Sequence, residues 1–143
     1  MLTLRPAQME DLDFLWRLRK DPDTASASRL SPPTYKEHAI WLERTLGSAH
    51  VRLYVAHEED IPVASVRLDQ LDPKRAEVSI TVAPDARHRG VGQAVLHAVE
   101  GCARAWGLQT LTAVIKRDNL PSRALFGECG YAVSLDIWEK SLG

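Results

Sequence analysis

A short basic segment that contains two glycines stands where a strand pattern changes into a helical one. In VAPDARHRGVGQAVL (82–96), Arg87, His88 and Arg89 directly precede Gly90 and Gly92. The first turn of a helix exposes backbone N–H groups without partners, and the helix dipole adds about half a positive charge there. Glycines let the backbone approach a ligand closely, and arginines supply charge and paired donors. The segment therefore predicts a site for a diphosphate.

Other phosphate-binding loops fit this segment less well. A P-loop requires GxxxxGKS or GxxxxGKT, and no Lys-Ser or Lys-Thr follows a glycine in this chain. A dinucleotide-binding loop requires GxGxxG, and Val95 stands where the third glycine belongs. A purely structural turn, with its arginines in solvent, is the alternative that these residues alone leave open.

Apolar periodicity places the loop in a chain that alternates strands and helices. Helical patterns cover residues 10–21, 34–47, 91–106 and 120–130. Strand patterns cover residues 2–7, 51–57, 62–68, 76–83, 108–115 and 131–140. Short turns predict that the three central strands are antiparallel neighbours, and the helical crossover predicts that the strands at 76–83 and 108–115 are parallel.

The helix at 34–47 carries both a start signal and two apolar stripes. Thr34 and Glu37 have the spacing of a capping box. The apolar period predicts one buried stripe, formed by Tyr35, Ala39, Leu42 and Leu46. A second stripe beside it contains His38, Trp41 and Thr45. On the simplest interpretation Trp41 belongs to the core and His38 lies next to it in solvent.

Composition limits the function classes. The chain has 143 residues, enough for one domain, and a net charge of −1, which argues against nucleic acid or an anionic membrane as the main partner. Cys102 and Cys129 have no metal-ligand spacing, so neither a disulfide framework nor a metal site is expected. No apolar stretch reaches the roughly 20 residues of a membrane span. The acidic N-terminal segment MLTLRPAQMEDLDF is unlike a signal peptide, and we expect a cytoplasmic protein.

The basic loop resembles the acetyl-CoA-binding segment of the GCN5-related N-acetyltransferase (GNAT) superfamily. The superfamily signature R/Q-x-x-G-x-G/A, preceded by V-x-P, stands here as Arg87-x-x-Gly90-x-Gly92 after Val82 and Pro84. The order of predicted elements also resembles that fold. The resemblance implies a single α/β N-acetyltransferase domain over residues 1–143, with a central mixed, mostly antiparallel sheet and helices on both faces.

A second segment carries the same resemblance. NLPSRALFGECGY (119–131) is similar to a later superfamily segment, N-x-x-A/S followed by GF, with Asn119, Ser122, Gly130 and Tyr131 at the matching positions. The resemblance implies acetyl-CoA as co-substrate and no metal. It implies that the arm and pyrophosphate of CoA bind the following residues: Ile80, Val82, Arg87, His88, Arg89, Gly90, Val91, Gly92, Asn119 and Ser122.

Transfer to an amine needs the amine unprotonated. For a lysine-like amine this costs about 4.6 kcal/mol at pH 7, which a general base offsets. Glu77 lies in the strand that leads into the loop, where many superfamily members carry such a glutamate. A solvated glutamate without a role is the alternative. Phe126 stands where many relatives have a proton-donating tyrosine, so the leaving thiolate needs another donor or water.

The acceptor site of the superfamily is formed largely by the first two helices and their connection. Arg29 and Ser31, followed by His38, Trp41 and Leu42, resemble acetyltransferases of amino-sugar nucleotides in bacterial surface-glycan pathways. A protein N-terminus, a lysine, a polyamine or an amino acid is the alternative acceptor. A CoA-binding module without turnover is the alternative of another class, motivated by Phe126. Homodimers are frequent in the superfamily, and no motif here decides between monomer and dimer.

Overall fold

The computed structural model describes residues 1–21, 32–134 and 137–143. The strands in this part of the chain are β1 (Leu2–Pro6), β2 (Val51–Glu58), β3 (Ile61–Asp72), β4 (Arg75–Val82), β5 (Thr110–Val114), β6 (Ala132–Ser134) and β7 (Ile137–Ser141). They form one seven-stranded sheet in the order β1–β2–β3–β4–β5–β7–β6. Every neighbouring pair is antiparallel except β4 and β5, which are parallel. The mixed, mostly antiparallel sheet is confirmed.

The α-helices of the described residues connect these strands. They are α1 (Leu12–Lys20), α2 (Tyr35–Leu46), α3 (Val91–Ala105) and α4 (Leu120–Glu128). Short 3-10 turns precede α1 at Met9–Asp11 and follow β4 at Pro84–Ala86. The crossover from β4 through α3 to β5 makes the one parallel pair, as the short-turn and crossover rules predict.

The capping box at the start of α2 is confirmed. The Thr34 hydroxyl accepts the Glu37 backbone N–H at 3.1 Å, and the Glu37 carboxylate accepts the Thr34 backbone N–H at 2.9 Å. Two backbone donors that the helix leaves without partners are thereby satisfied, which fixes where α2 begins.

The buried stripe predicted for α2 was correct at Leu42 and wrong at its two ends. Tyr35 and Leu46 are exposed, whereas His38 and Leu42 are buried. The helix therefore turns the side that contains both His38 and Leu42 inward, and the Tyr35 hydroxyl instead donates a hydrogen bond to Asp13 of α1 at 2.6 Å. The placement of His38 in solvent was wrong for the same reason.

The single strand predicted for residues 131–140 was also wrong. This stretch forms two antiparallel strands, β6 and β7, with Ala132 opposite Glu139. It contains no glycine or proline, the strongest turn signals, at which a strand pattern would be divided.

The two faces of the sheet are covered by different helices. On one face α3 packs over alternate residues of the central strands, including Val66, Leu68, Ala76 and Val78. On the other face α1 and α2 cover a smaller apolar cluster around Leu42 and Val55. The faces alternate along β4, so Glu77, Ser79 and Thr81 point to the α1–α2 face, as the period of two predicts. Of the helices in the described residues, none has the length and apolar character that a bilayer span requires.

Candidate active site

The strands β4 and β5 separate at the centre of the sheet. Their parallel pairing runs from Arg75 opposite Thr110 to Glu77 opposite Thr112 and ends there, while β4 continues to Val82. The Ala83 N–H donates to the Val63 carbonyl of β3 at 2.8 Å. Because successive N–H groups of a strand point to opposite sides, those of Ile80 and Val82 point into the gap beside β5. The gap therefore offers an unpaired strand edge in the middle of the sheet.

The basic loop follows directly at the end of this edge. His88 has φ 63° and Gly90 has φ 77°, so two residues of the loop adopt the left-handed conformation just before α3 begins at Val91. Left-handed residues in such a turn bring backbone N–H groups together into an anion-binding concavity. A Cβ added at Gly90 would meet no atom within 4 Å, so the space in front of this residue is open. The loop therefore has the form expected of an anion site.

The arginine side chains of the loop are engaged within the chain. Arg87 Nε donates to the Val82 carbonyl at 3.2 Å, and its Nη2 lies 3.1 Å from an Asp21 carboxylate oxygen. Arg89 Nη2 donates to Glu58 at 2.9 Å. Arg87 thus connects the end of α1, the end of β4 and the loop. An anion at this loop would therefore meet its backbone N–H groups, with the arginine charges close by.

Gly92 serves helix packing as well as the loop. It lies in the first turn of α3, where a Cβ would stand 3.0 Å from a methyl group of Leu125 in α4. α3 and α4 therefore approach closely at the first turn of α3. At the start of α4, the Asn119 side chain caps the helix by accepting the Ser122 N–H at 3.3 Å.

A cavity of about 630 Å³ occupies the space between the separated strands and the α1–α2 face. We call it the central cavity. Its lining combines the gap, α1, α2, β3 and the start of α4; representative residues are Arg19, His38, Trp41, Arg67, Ile80 and Asn119. A volume of this size matches small-molecule sites. The cavity therefore brings the strand edge and the α1–α2 face together in one space.

Residues 1–132 match the family model described as an acetyltransferase (GNAT) domain. The chain belongs to this family. It is an acetyl-CoA-dependent N-acetyltransferase, and the predicted co-substrate is confirmed.

Solved structures of acetyltransferases have the same fold. The spermidine N-acetyltransferase of Vibrio cholerae in complex with CoA and spermine is 18% identical, with a TM-score of 0.88 over 96% of this chain and 92% of that one. The phosphinothricin acetyltransferase of Sinorhizobium meliloti in complex with acetyl-CoA is 22% identical, with a TM-score of 0.84 over 99% and 89%. An aminoglycoside acetyltransferase in complex with coenzyme A is 13% identical, with a TM-score of 0.87 over 99% and 95%.

The predicted acceptor residues of this acetyltransferase divide into two groups. His38 and Trp41 both line the central cavity, and their rings stack with centroids 4.7 Å apart and planes at 29°. Burial lowers the pKa of His38, and the charge of Arg19 lowers it further, so its imidazole is neutral at pH 7. Arg29 and Ser31 lie outside the described residues.

Glu77, the predicted base, lies at the point where the strands separate. It is half-buried on the α1–α2 face, opposite Asp69 of β3 and Thr112 of β5. Ser79 and Thr81 follow Glu77 on the same face of β4, and both line the central cavity. A distance of roughly 6.6 Å along a strand separates Glu77 from Ser79, so the carboxylate stands at the closed end of the gap.

Phe126 occupies the position of the proton-donating tyrosine of many relatives, and Tyr131 packs against it. Phe126 is buried, lines the cavity and packs edge-to-face against Tyr131, with centroids 4.9 Å apart. The buried Tyr131 hydroxyl has no hydrogen-bond partner among the described residues. Burial strongly raises the pKa of Tyr131, and the nearby Glu100 raises it further, so the phenol keeps its proton.

The sequence reading missed the cationic residues of the cavity. Arg19, Arg67 and Lys116 all line it and come from α1, β3 and the segment after β5. A signal for Arg67 was present, because it occupies a polar-face position of a central strand whose other face is apolar. No signal existed for the convergence of all three, which depends on how the strands separate.

No group of three or more His, Cys, Asp or Glu residues in the described ranges could hold a metal ion.

Proposed function

We propose that this enzyme transfers the acetyl group of acetyl-CoA directly to a primary amine of a small molecule held in the central cavity. The observation that supports this most strongly is the separation of β4 and β5 after Glu77, which gives one cavity both a strand edge and an acceptor side. The new C–N bond replaces the C–S bond of the thioester. The amine loses one proton and the thiolate gains one.

The chain has donors suited to each part of the co-substrate. Loop N–H groups from Arg87 to Gly92 would hold the pyrophosphate, next to the positive end of α3. The N–H groups of Ile80 and Val82 would pair with the amide groups of the pantetheine arm as a neighbouring strand does, and that of Val82 would polarise the thioester carbonyl. Asn119 and Ser122 line the cavity, and they would help to position the co-substrate near its sulfur.

Glu77 is the proposed general base, acting through a water molecule. Among the described lining residues of the cavity there is no carboxylate, and Glu77 stands just beyond the lining at the closed end of the gap. A bridging water therefore provides the proton path from the acceptor amine to this carboxylate. The structure gives Glu77 no hydrogen bond or ion pair with the described residues that would occupy its carboxylate oxygens.

Water is the proposed proton donor for the leaving thiolate. Phe126 has no proton to give, and Tyr131 lies behind it without reaching the cavity lining. A free thiol titrates near about 8.5, so a CoA thiolate takes its proton from solvent without a strong acid.

Direct transfer is favoured over an acyl-enzyme at Cys129. Burial raises the pKa of the Cys129 thiol, and the charge of Glu100 raises it further. A reactive cysteine requires the opposite shift. Cys129 is also absent from the lining of the central cavity.

The acceptor class proposed is a small amine, with an amino-sugar nucleotide as one candidate. His38 and Trp41 lie in the cavity together, as that candidate expects, and the cationic lining suits its phosphates. A protein N-terminus or a lysine side chain is the second candidate.

A thiol-release assay with acetyl-CoA tests this function. The amine panel contains a UDP-linked amino sugar, amino acids, polyamines and a lysine peptide. Release with a small amine, together with the acetylated product by mass spectrometry, supports the proposal. Release with the peptide alone overturns the small-molecule assignment, and CoA binding without release on any amine supports a module that does not turn over.

A further inference from the structure

The charged side chains in the described lining of the central cavity are all cationic, and Asp69, the ion-pair partner of Arg67, lies outside that lining. The cationic residues of the lining are Arg19, Arg67 and Lys116, and no described residue of the lining is an aspartate or a glutamate. A cationic acceptor such as a polyamine would bring like charges together in this space, which disfavours its binding. An acceptor with an anionic group would instead complement the lining.

Arg67 is held in position for such a group. Its Nε donates to the Asp69 carboxylate at 2.7 Å, while its two terminal nitrogens make no hydrogen bond within the described part of the chain. Its guanidinium carbon lies 5.9 Å from the centre of the Trp41 ring. Asp69 therefore orients one edge of the guanidinium and leaves the other donors for a ligand.

Arg67 lies at a distance along the sheet from the basic loop. Arg67 lies opposite Ser79 of β4, three residues before Val82. Three strand residues span roughly 10 Å, and the loop begins beyond that distance. The diphosphate that the loop would hold is therefore not the partner of Arg67, whose neighbours belong to the acceptor side.

His38 supplies an independent sign of a ligand. The residue is 5% exposed, and its Nε2 is buried with no hydrogen-bond partner among the described residues, although the ring lines the cavity. Buried polar atoms are normally hydrogen-bonded, and an unpaired one in a cavity indicates a missing partner. A neutral imidazole forms one hydrogen bond through this nitrogen.

We propose that the acceptor amine carries an anionic group that binds Arg67 and a hydroxyl or amide group that hydrogen-bonds His38. This inference rests on the proposed function and narrows its substrate class. It places amino acids, phosphorylated amines and amino-sugar nucleotides ahead of polyamines. The shared chemistry is a carboxylate or phosphate on a molecule with a free amine.

Matched amines test the inference. One set varies the group at the other end of a short amine: it is anionic in β-alanine and phosphoethanolamine, neutral in ethanolamine and cationic in 1,3-diaminopropane. A second compares glucosamine 6-phosphate and a UDP-linked glucosamine with glucosamine. The expected result is a higher kcat/KM for the anionic member of each set, falling as NaCl is raised. The relative rates of carboxylate, monophosphate and diphosphate members identify the source of the charge. A preference for the neutral or cationic member overturns the inference while leaving the acetyltransferase function intact.

Two variants assign the effect to residues. Arg67→Gln should raise the KM for the anionic amine about 10- to 100-fold, the range expected for a lost charged hydrogen bond, with little change in KM for the neutral amine. Arg44→Gln, on the exposed side of α2, is the control and should change neither. His38→Gln tests the hydrogen bond separately. An equal KM change for both amines in Arg67→Gln would assign that residue a structural role and overturn the proposal.

A binding readout separates this inference from the transfer reaction. Glucose 6-phosphate and glucose, which lack the amine, are titrated into the CoA-loaded enzyme while tryptophan fluorescence is recorded. Trp41 stacks on His38 and lies near Arg67, so a ligand there should change its emission. A response to the phosphate alone, lost in Arg67→Gln, supports the anionic site even if no amine is turned over. The same response in Arg67→Gln overturns it.

Discussion

Glu77 and the aromatic pair Phe126–Tyr131 differ in their access to the central cavity. Glu77 stands at the closed end of the gap between β4 and β5, on the same face as Ser79 and Thr81. Tyr131 has the proton that Phe126 lacks, but its hydroxyl is buried and has no hydrogen-bond partner within the described ranges. A carboxylate that borders the cavity is placed to accept a proton from a ligand there, whereas a buried phenol with a raised pKa keeps its own proton.

Glu77→Gln should lower kcat/KM about 100-fold or more, the loss expected for a general base. The substitution keeps the shape of the side chain and removes its ability to accept a proton. The pH profile of kcat/KM should accordingly lose its acidic limb. Glu43→Gln, on an exposed position of α2, is the matched control and should leave the profile unchanged. An unaltered profile in Glu77→Gln would remove this residue from the mechanism.

Tyr131→Phe should preserve the turnover rate and keep or increase stability. The hydroxyl is buried and forms no hydrogen bond with the part of the chain that the structure describes, and such a group costs about 1 to 3 kcal/mol. Urea denaturation measures the free energy of unfolding, and thiol release measures turnover. A large loss of kcat with intact folding would instead identify Tyr131 as the acid that protonates the thiolate.

At the scale of elements, the start of α3 contains two glycines with different physical requirements. Gly90 has φ 77°, so this position requires a left-handed backbone conformation, although there is open space for a Cβ. Gly92 has helical geometry and needs room, because a Cβ would touch Leu125 of α4. The sequence motif treats the two glycines alike, and the structure separates them.

Three substitutions to alanine along this segment should give a graded result. Gly90→Ala should lower the free energy of unfolding by roughly 1 to 2 kcal/mol, because a Cβ disfavours the left-handed conformation. Gly101→Ala, at an exposed site within α3 with open space around it, should raise stability by up to about 1 kcal/mol. Gly92→Ala should fall between them, since the helix gain is offset by the displacement of Leu125. Urea titration of the three variants checks the order, and equal values for Gly90→Ala and Gly101→Ala would contradict it.

The junction between β1 and α1 depends on an ion pair. Arg5 donates to both carboxylate oxygens of buried Asp11, at 2.5 and 2.8 Å, and the Gln8 N–H donates to the same carboxylate at 2.8 Å. Burial by itself would raise the pKa of Asp11, but these hydrogen bonds outweigh burial and hold the pKa below its usual value. The ionised carboxylate is therefore the form that stabilises the fold.

Asp11→Asn should cost about 1.5 to 3 kcal/mol of stability at pH 7, the range for hydrogen bonds to a charged group. Because the folded pKa is depressed, this contribution is present above the unfolded pKa of about 3.9 and is lost as pH falls through the folded pKa. Unfolding free energies measured from pH 7 to pH 3 should therefore converge for wild type and Asp11→Asn. Asp60→Asn, in an exposed turn, is the control, and a constant difference across this range would contradict the assignment.

At the scale of the whole molecule, local signals determined most of the fold. The capping box, the alternation along β4 and the crossover through α3 each depend on neighbouring residues, and each was predicted correctly. The inward turn of His38 and the reversal between β6 and β7 depend on distant partners, and both were missed. The cationic side of the central cavity depends on three separate elements, so no local pattern could reveal it.

Arg87 connects the parts of the molecule that a bound CoA would contact. Its side chain bonds the Val82 carbonyl and the Asp21 carboxylate, so the loop, the end of β4 and the end of α1 are held together. A ligand that bridges the loop and the strand edge should therefore stabilise the whole domain and not one segment. At a CoA concentration of 100 times Kd, mass action gives about 2.7 kcal/mol. For a domain of this size that corresponds to roughly a 10 °C rise in Tm.

Thermal unfolding with CoA, pantetheine and adenosine 3′,5′-bisphosphate should separate the contributions of the loop and the strand edge. Pantetheine contains the arm without the pyrophosphate, and the bisphosphate contains neither the arm nor the pyrophosphate. Each should therefore raise Tm by much less than CoA at the same concentration. In Gly90→Ala the rise with CoA should shrink while any rise with pantetheine persists, because the added Cβ projects into the open space before the loop. An equal rise with CoA in wild type and Gly90→Ala would mean that the pyrophosphate binds elsewhere, since the loop N–H groups could not then be its main contacts.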